Sequence, residues 1–226
     1  PVFFVAQIPP NTGSAAKLQR VIDFNNALPA VITTLRGEGK DVTLVDQFTP
    51  INANTAGLMI DSLHVNTAGN AVLASQWYNA IKARFAITTR AVTTSWKTIA
   101  TNPTGAFSGI LTGVGAGGWY DVEIRTIVNG SSIGTVRVPK VGVGDIYVTA
   151  GESNSANHGS PASTPADDRV VARSSVTANT WVPAADPLPI ATGAGGSTWS
   201  RLGNLLAVAD DIPIGFVAIG VDGTQA

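Results

Sequence analysis

The chain has 226 residues, enough for one large domain or two small ones. With 44% hydrophobic and only 13% charged residues it can build a sizeable core, which argues against disorder. Net charge is -1, so no basic excess points to nucleic acid or an anionic membrane, and the absence of Cys excludes disulfides, thiolate metal sites and a Cys nucleophile.

Val2-Phe3-Phe4-Val5-Ala6-Gln7-Ile8 is a continuous apolar run closed by Pro9-Pro10. It reads as a strand buried on both faces, as in a parallel sheet. Leu18, Val21, Ile22, Asn25, Leu28, Ile32 and Leu35 then fall at helical spacing. Pro29 is expected to kink or split that helix, and Gly37 and Gly39 to end it. Val42-Thr43-Leu44-Val45 reads as a second buried strand. Strand, helix, strand is half of a doubly wound sheet. A loop over 46–61 follows, then a helix over 68–85 capped by Thr67, burying Val72, Leu73, Trp77, Ile81 and Phe85.

After residue 86 the texture changes. Thr and Val dominate to Ala100, which predicts strands. From Trp119 to Val128 the pattern alternates, with Tyr120, Val122, Ile124, Thr126 and Val128 on one face. Asn129-Gly130 is a hairpin turn signal, and Ser132 to Val138 returns. Asp145 to Ala150 is another strand, ending at Gly151-Glu152-Ser153-Asn154-Ser155. Residues 160–197 form a long Pro, Ala, Ser, Thr and Gly-rich loop with Trp181 as an anchor. Residues 198–209 predict a helix, and 212–220 a buried strand running into Asp222-Gly223-Thr224. No run of about 18 apolar residues predicts a membrane span. Residue 1 is Pro and no signal peptide is visible, so the N-terminus reads as processed, trimmed or taken from a longer chain. Low charge with abundant small polar residues predicts a secreted or periplasmic protein.

A serine on a turn after a buried strand sits at the sheet edge where ligands bind in α/β folds. It becomes a nucleophile if a base reaches it, and the base needs an orienting group. The two histidines make the choice narrow. His158 lies five residues after Ser153 and reads as a surface loop histidine. His64 lies three residues after Asp61. A carboxylate at that spacing meets Nδ1-H if the loop makes one turn, leaving Nε2 to face a hydroxyl. Gly223, just past the last strand, and Ser153 itself offer N–H groups for an oxyanion. Gly113 to Gly118 lacks the Lys of a phosphate loop, no histidine–carboxylate cluster calls for a metal, and no cofactor is implied.

These stretches resemble the SGNH (GDSL-type) hydrolase superfamily. Gly144-Asp145-Ile146-Tyr147-Val148-Thr149-Ala150-Gly151-Glu152-Ser153-Asn154-Ser155 is similar to the nucleophile block of its sialate O-acetylesterase and acetylxylan esterase branch, with Glu152 where Gln is usual. The Trp119 strand region resembles the β-rich segment before that block. Pro213-Ile214-Gly215-Phe216 through Val221-Asp222-Gly223-Thr224 is similar to a second block, usually Gly-Gly-Thr, whose second glycine donates to the oxyanion. Asp61-Ser62-Leu63-His64 resembles the last block, Asp-x-x-His, which supplies acid and base.

The resemblance implies a three-layer α/β/α parallel sheet with a small antiparallel β module inserted. It divides the chain into 1–85 (the family's C-terminal half), 86–140 (the β module) and 141–226 (the N-terminal half). The blocks stand in permuted order, and the block that brings an Asn to the oxyanion is not found. Either the chain is a circular permutation, or it joins pieces of two tandem hydrolases and Ser153 and His64 belong to different sites. The first case implies a serine esterase removing acetyl or short acyl groups, from carbohydrate or a small ester. Its triad is Ser153, His64 and Asp61, with Ser153, Gly223 and Asn154 at the oxyanion. The alternatives are a non-catalytic carbohydrate-binding or structural module, and a lipase-like esterase for short chains.

Overall fold

The computed structural model describes residues 1–85 and 95–223. The fold is mixed α/β. Strand β1 (Val2–Ala6) leads through helix α1 (Ala15–Gly37) to β2 (Asp41–Val45), which pairs with β1 in parallel. Short helices α2 (Phe48–Asn52) and α3 (Thr55–Leu58) occupy the stretch read as a loop, and α4 (Thr67–Arg84) follows. A hairpin of β3 (Trp119–Val128) and β4 (Ser131–Gly142) precedes β5 (Asp145–Thr149). Then come β6 (Val170–Arg173), β7 (Trp181–Pro183), α5 (Trp199–Asp210) and β8 (Ile214–Ala218). The last four strands form one sheet in the order β5-β8-β6-β7, with β5, β8 and β6 parallel and β7 antiparallel at the edge.

Local signals account for most of these elements. Ser14 caps α1 by accepting from the Lys17 N–H, and Asn25, Leu28 and Ile32 are its buried residues. Asn25 is buried for a reason other than hydrophobicity. Its amide pairs with the backbone of Ile8, accepting from the N–H and donating to the C=O at 2.8 Å each, which ties α1 to the chain leaving β1. The helix is not split at Pro29: it runs through as one element. Pro29 removes one intrahelical donor, but the buried Leu28 and Ile32 keep their face only if the turns on both sides stay in phase. Helix α4 is capped by Asn66, whose side chain accepts from the Gly69 N–H, rather than by Thr67. Its buried face is Gly69, Asn70, Leu73, Ala74 and Ile81, while Val72, Trp77 and Phe85 are half-buried. The hairpin turn is at Asn129-Gly130, both with positive φ (50 and 77°), as a mirror-image turn requires. Two register shifts, at Tyr120/Val122 and Thr126/Ile127, interrupt the expected alternation. Of the strands predicted over 86–100, residues 86–94 lie outside the described residues and 95–100 have no regular structure.

The single parallel sheet that the sequence predicts is divided: the β1–β2 pair forms a sheet of its own. The long loop over 160–197 contains β6 and β7. Trp181, expected to anchor this segment, lies over Gly215, where an added Cβ would be 2.9 Å from its ring, yet the side chain is exposed.

The main core brings distant parts of the chain together. Phe216 and Ile214 of β8, Val170 and Ala172 of β6, and Trp199, Leu202 and Leu206 of α5 pack with Ala74 and Ile81 of α4. The Trp199 ring meets Trp77 at 5.6 Å and Phe216 at 6.2 Å. Gly203 lets α5 approach β6, because a Cβ there would lie 2.3 Å from a Val170 methyl. At the far end of the same interface Lys82 Nζ lies 2.5 Å from Asp210 Oδ1, and Asp210 is fully buried. Among the described residues no helix is long and apolar enough to cross a membrane.

Removing the Lys82 charge leaves Asp210 buried and uncompensated, an arrangement that costs about 3–5 kcal/mol. Lys82→Met is therefore expected to lower the thermal midpoint sharply, and Lys82→Met with Asp210→Leu to recover much of the loss. A wild-type melting curve for the single variant would contradict the α4–α5 contact.

Candidate active site

The turn after β5 is built by glycine and by the neighbouring strand. Gly151 has φ +147°, a conformation that L side chains rarely adopt, and a Cβ there would meet Ser155 Oγ at 2.4 Å and force that side chain to move. Ser153–Ser155 form one 3-10 turn. The Ser153 carbonyl accepts from the Ala156 and His158 amides at 3.0 and 3.1 Å, and Trp199 Nε1 donates to the Ser155 carbonyl at 3.1 Å. Pairing with the chain leaving β8 continues past the strand: Ile219 N donates to Thr149 O, and Val221 N to Gly151 O. That continuation carries Asp222 and Gly223 alongside Glu152.

The Asp61–His64 loop makes the single turn that the spacing predicts. Asp61 Oδ1 accepts from the amides of Leu63 and His64, both at 2.7 Å, and Oδ2 lies 2.8 Å from His64 Nδ1. One carboxylate thus fixes both the loop and the ring, and Nε2 is left as the imidazole's working nitrogen. Burial pushes the Asp61 carboxyl up. The hydrogen bond with His64, the two amides and the His64 charge outweigh it and pull the pKa to about 2.

The two expected pieces of the site meet through Asn154. Its Oδ1 accepts from the Val65 N–H and its Nδ2 donates to the Leu63 carbonyl, each at 3.3 Å. The backbone on either side of His64 is therefore held by the residue that follows Ser153. Ser153 is 5% exposed, and its hydroxyl is turned toward its own neighbour rather than toward His64. Oγ donates to Glu152 Oε2 at 2.5 Å. The other oxygen of the same carboxylate, Oε1, accepts from the Gly223 N–H at 2.8 Å. Gly223 is exposed and has φ +68°.

A second histidine–aspartate pair adjoins the first. The His158 ring stacks on His64, centroids 5.9 Å apart and planes 23° apart. Its Nε2 lies 3.1 Å from Asp222 Oδ2 but off the hydrogen-bond line. The Asp222 carboxyl is held below its ordinary range by the Thr192 hydroxyl and by the nearby His158. His158, read from sequence as a surface loop histidine, instead lies against the catalytic candidate. Spacing could not have shown this, because the stack joins residues that meet only in the folded chain. Glu152 is visible in the sequence as a departure from the resembled block, but its contact with Gly223 depends on where β8 ends. Among the described residues no group of three or more His, Asp or Glu side chains is arranged to hold a metal ion.

Compared with family models, curated proteins and solved structures, the chain finds no match.

Since the Asp61 carboxyl has an ordinary value of 3.8 and a folded-state value near 2, its contribution to the loop is complete above about pH 4 and lost as pH falls toward 2. A carbon-13 titration of the Asp61 carboxyl is expected to show a midpoint near 2. A midpoint at the ordinary value would mean that the carboxylate does not hold His64.

Proposed function

We propose that the chain is a serine esterase that hydrolyses acetyl or other short acyl esters, with carbohydrate as the natural alcohol. The observation that carries this reading is the Asn154 bridge. It brings a serine on a strand-end turn and an aspartate-oriented histidine, about 90 residues apart, into one locality. The resemblance of both stretches to SGNH hydrolases supports the same assignment, with the family's blocks in permuted order.

In this mechanism Ser153 Oγ attacks the ester carbonyl while His64 Nε2 takes its proton. Asp61 holds the imidazole in the tautomer that leaves Nε2 free and stabilises the imidazolium that forms. The tetrahedral oxyanion is met by the N–H groups of Ser153 and Gly223, near the Asn154 amide. His64 returns the proton to the departing alcohol. A water then attacks the acyl-enzyme by the same route, releasing the acid and restoring the serine. Ser153 Oγ must first leave Glu152 before it can pass its proton to His64.

A second reading, a non-catalytic carbohydrate-binding module, is favoured by one observation: the hydroxyl and the Gly223 N–H are both engaged by Glu152. Turnover of p-nitrophenyl acetate decides between them. Ser153→Ala and His64→Ala are each expected to lower kcat on the order of 10³-fold or more. Full activity in either variant would remove the triad. Glycan binding without turnover, unchanged in Ser153→Ala, would favour the binding module.

A further inference from the structure

We propose that Glu152 is a latch: its carboxylate holds the nucleophile and the Gly223 N–H in a closed resting state that an ester must open. The proposal rests on the esterase reading above and adds a positioning residue to it. Its basis is geometric. One carboxylate spans the two groups that the reaction needs apart from each other, Ser153 Oγ through Oε2 at 2.5 Å and Gly223 N through Oε1 at 2.8 Å. The first group must turn to His64, and the second must turn to the oxyanion.

The latch is held by two neighbouring parallel strands at one edge of the sheet. Glu152 follows β5, Gly223 follows β8, and the Val221–Gly151 hydrogen bond sets the two turns side by side. Burial disfavours the carboxylate. The Ser153 hydroxyl, the amides of Ser153 and Gly223, and the His158 charge more than compensate, and hold its pKa below the ordinary glutamate value. So held, Glu152 stays ionised through the neutral range and is a poor base for the serine it contacts. Its role is to position, and His64 remains the proton acceptor.

Opening exchanges two charge-assisted hydrogen bonds for contacts with the substrate. The cost falls on binding, because only the open fraction of molecules accepts the ester. Glutamine at this position still reaches Gly223 but no longer offers an anion to the Ser153 hydroxyl. The closed state is weakened by the difference between a charge-assisted and a neutral hydrogen bond, roughly tenfold in the equilibrium.

The test compares the wild type with Glu152→Gln, and with Glu152→Ala should the first fold poorly, judged by thermal melting. Two readouts are taken: the rate of Ser153 modification by a fluorophosphonate, followed by intact mass, and the split between KM and kcat on p-nitrophenyl acetate. The latch predicts roughly tenfold faster labelling and a lower KM, with kcat little changed. Labelling of both proteins at one rate, or slower labelling of a well-folded variant, overturns the latch and leaves the esterase reading standing. Absence of Ser153 labelling in wild type and variant alike overturns both.

Discussion

A primary amide on the turn after β5 makes two hydrogen bonds to backbone on either side of His64, and the candidate site exists because of them. Asn154 takes one donor and one acceptor from a loop in the other half of the chain. An amide suits this task because it offers both roles in one plane, where a carboxylate or an ammonium would leave one backbone group unmet. The contact does not act alone. Beneath it, α4 packs on α5 through Trp77 and Trp199, and the Trp199 indole returns to the same turn by donating to Ser155 O. Core packing therefore fixes the turn from below, and the amide fixes the loop from the side.

The surroundings of Ser153 are crowded with charge. Three carboxylates (Asp61, Glu152 and Asp222) and two imidazoles lie within a few side-chain lengths of the hydroxyl. Each carboxylate has a defined partner. Asp61 faces His64, Glu152 faces Ser153 and Gly223, and Asp222 faces His158. The pairing separates acceptors that would otherwise compete for one imidazole. It also gives the stacked rings separate acidic neighbours on different loops.

The sequence was readable where one local rule dominated. Continuous apolar runs marked β1, β2 and β8, and Asn129-Gly130 marked the hairpin turn. Helix α5 showed its apolar spacing through Leu202 and Leu206. The Asp-x-x-His spacing predicted the Asp61–His64 hydrogen bond because that contact closes within four residues. Legibility failed where tertiary contacts decide. Strands β6 and β7 have four and three residues in a stretch of small and polar residues, and pair only because β8 lies beside β6. Pro29 reads locally as a break, yet the packed faces on both sides of it hold the helix. The separation of β1–β2 from the larger sheet likewise has no local signature. His158 and Glu152 drew roles from partners supplied by other elements.

The ladder between β5 and β8 acts as a ruler. Its rungs run in strict register from Asp145 and Ile214 to Thr149 and Ala218, and two more hydrogen bonds extend it into the turns. Successive residues along a strand advance about 3.3 Å, which is larger than a hydrogen bond's tolerance. A slip of one residue would take Gly223 out of reach of Glu152, and would turn Phe216 out of the core. The hydrophobic pattern of β8 thus sets the alignment of a polar contact that it does not touch. The spacing between Ser153 and Gly223 is inherited from the packing of the core.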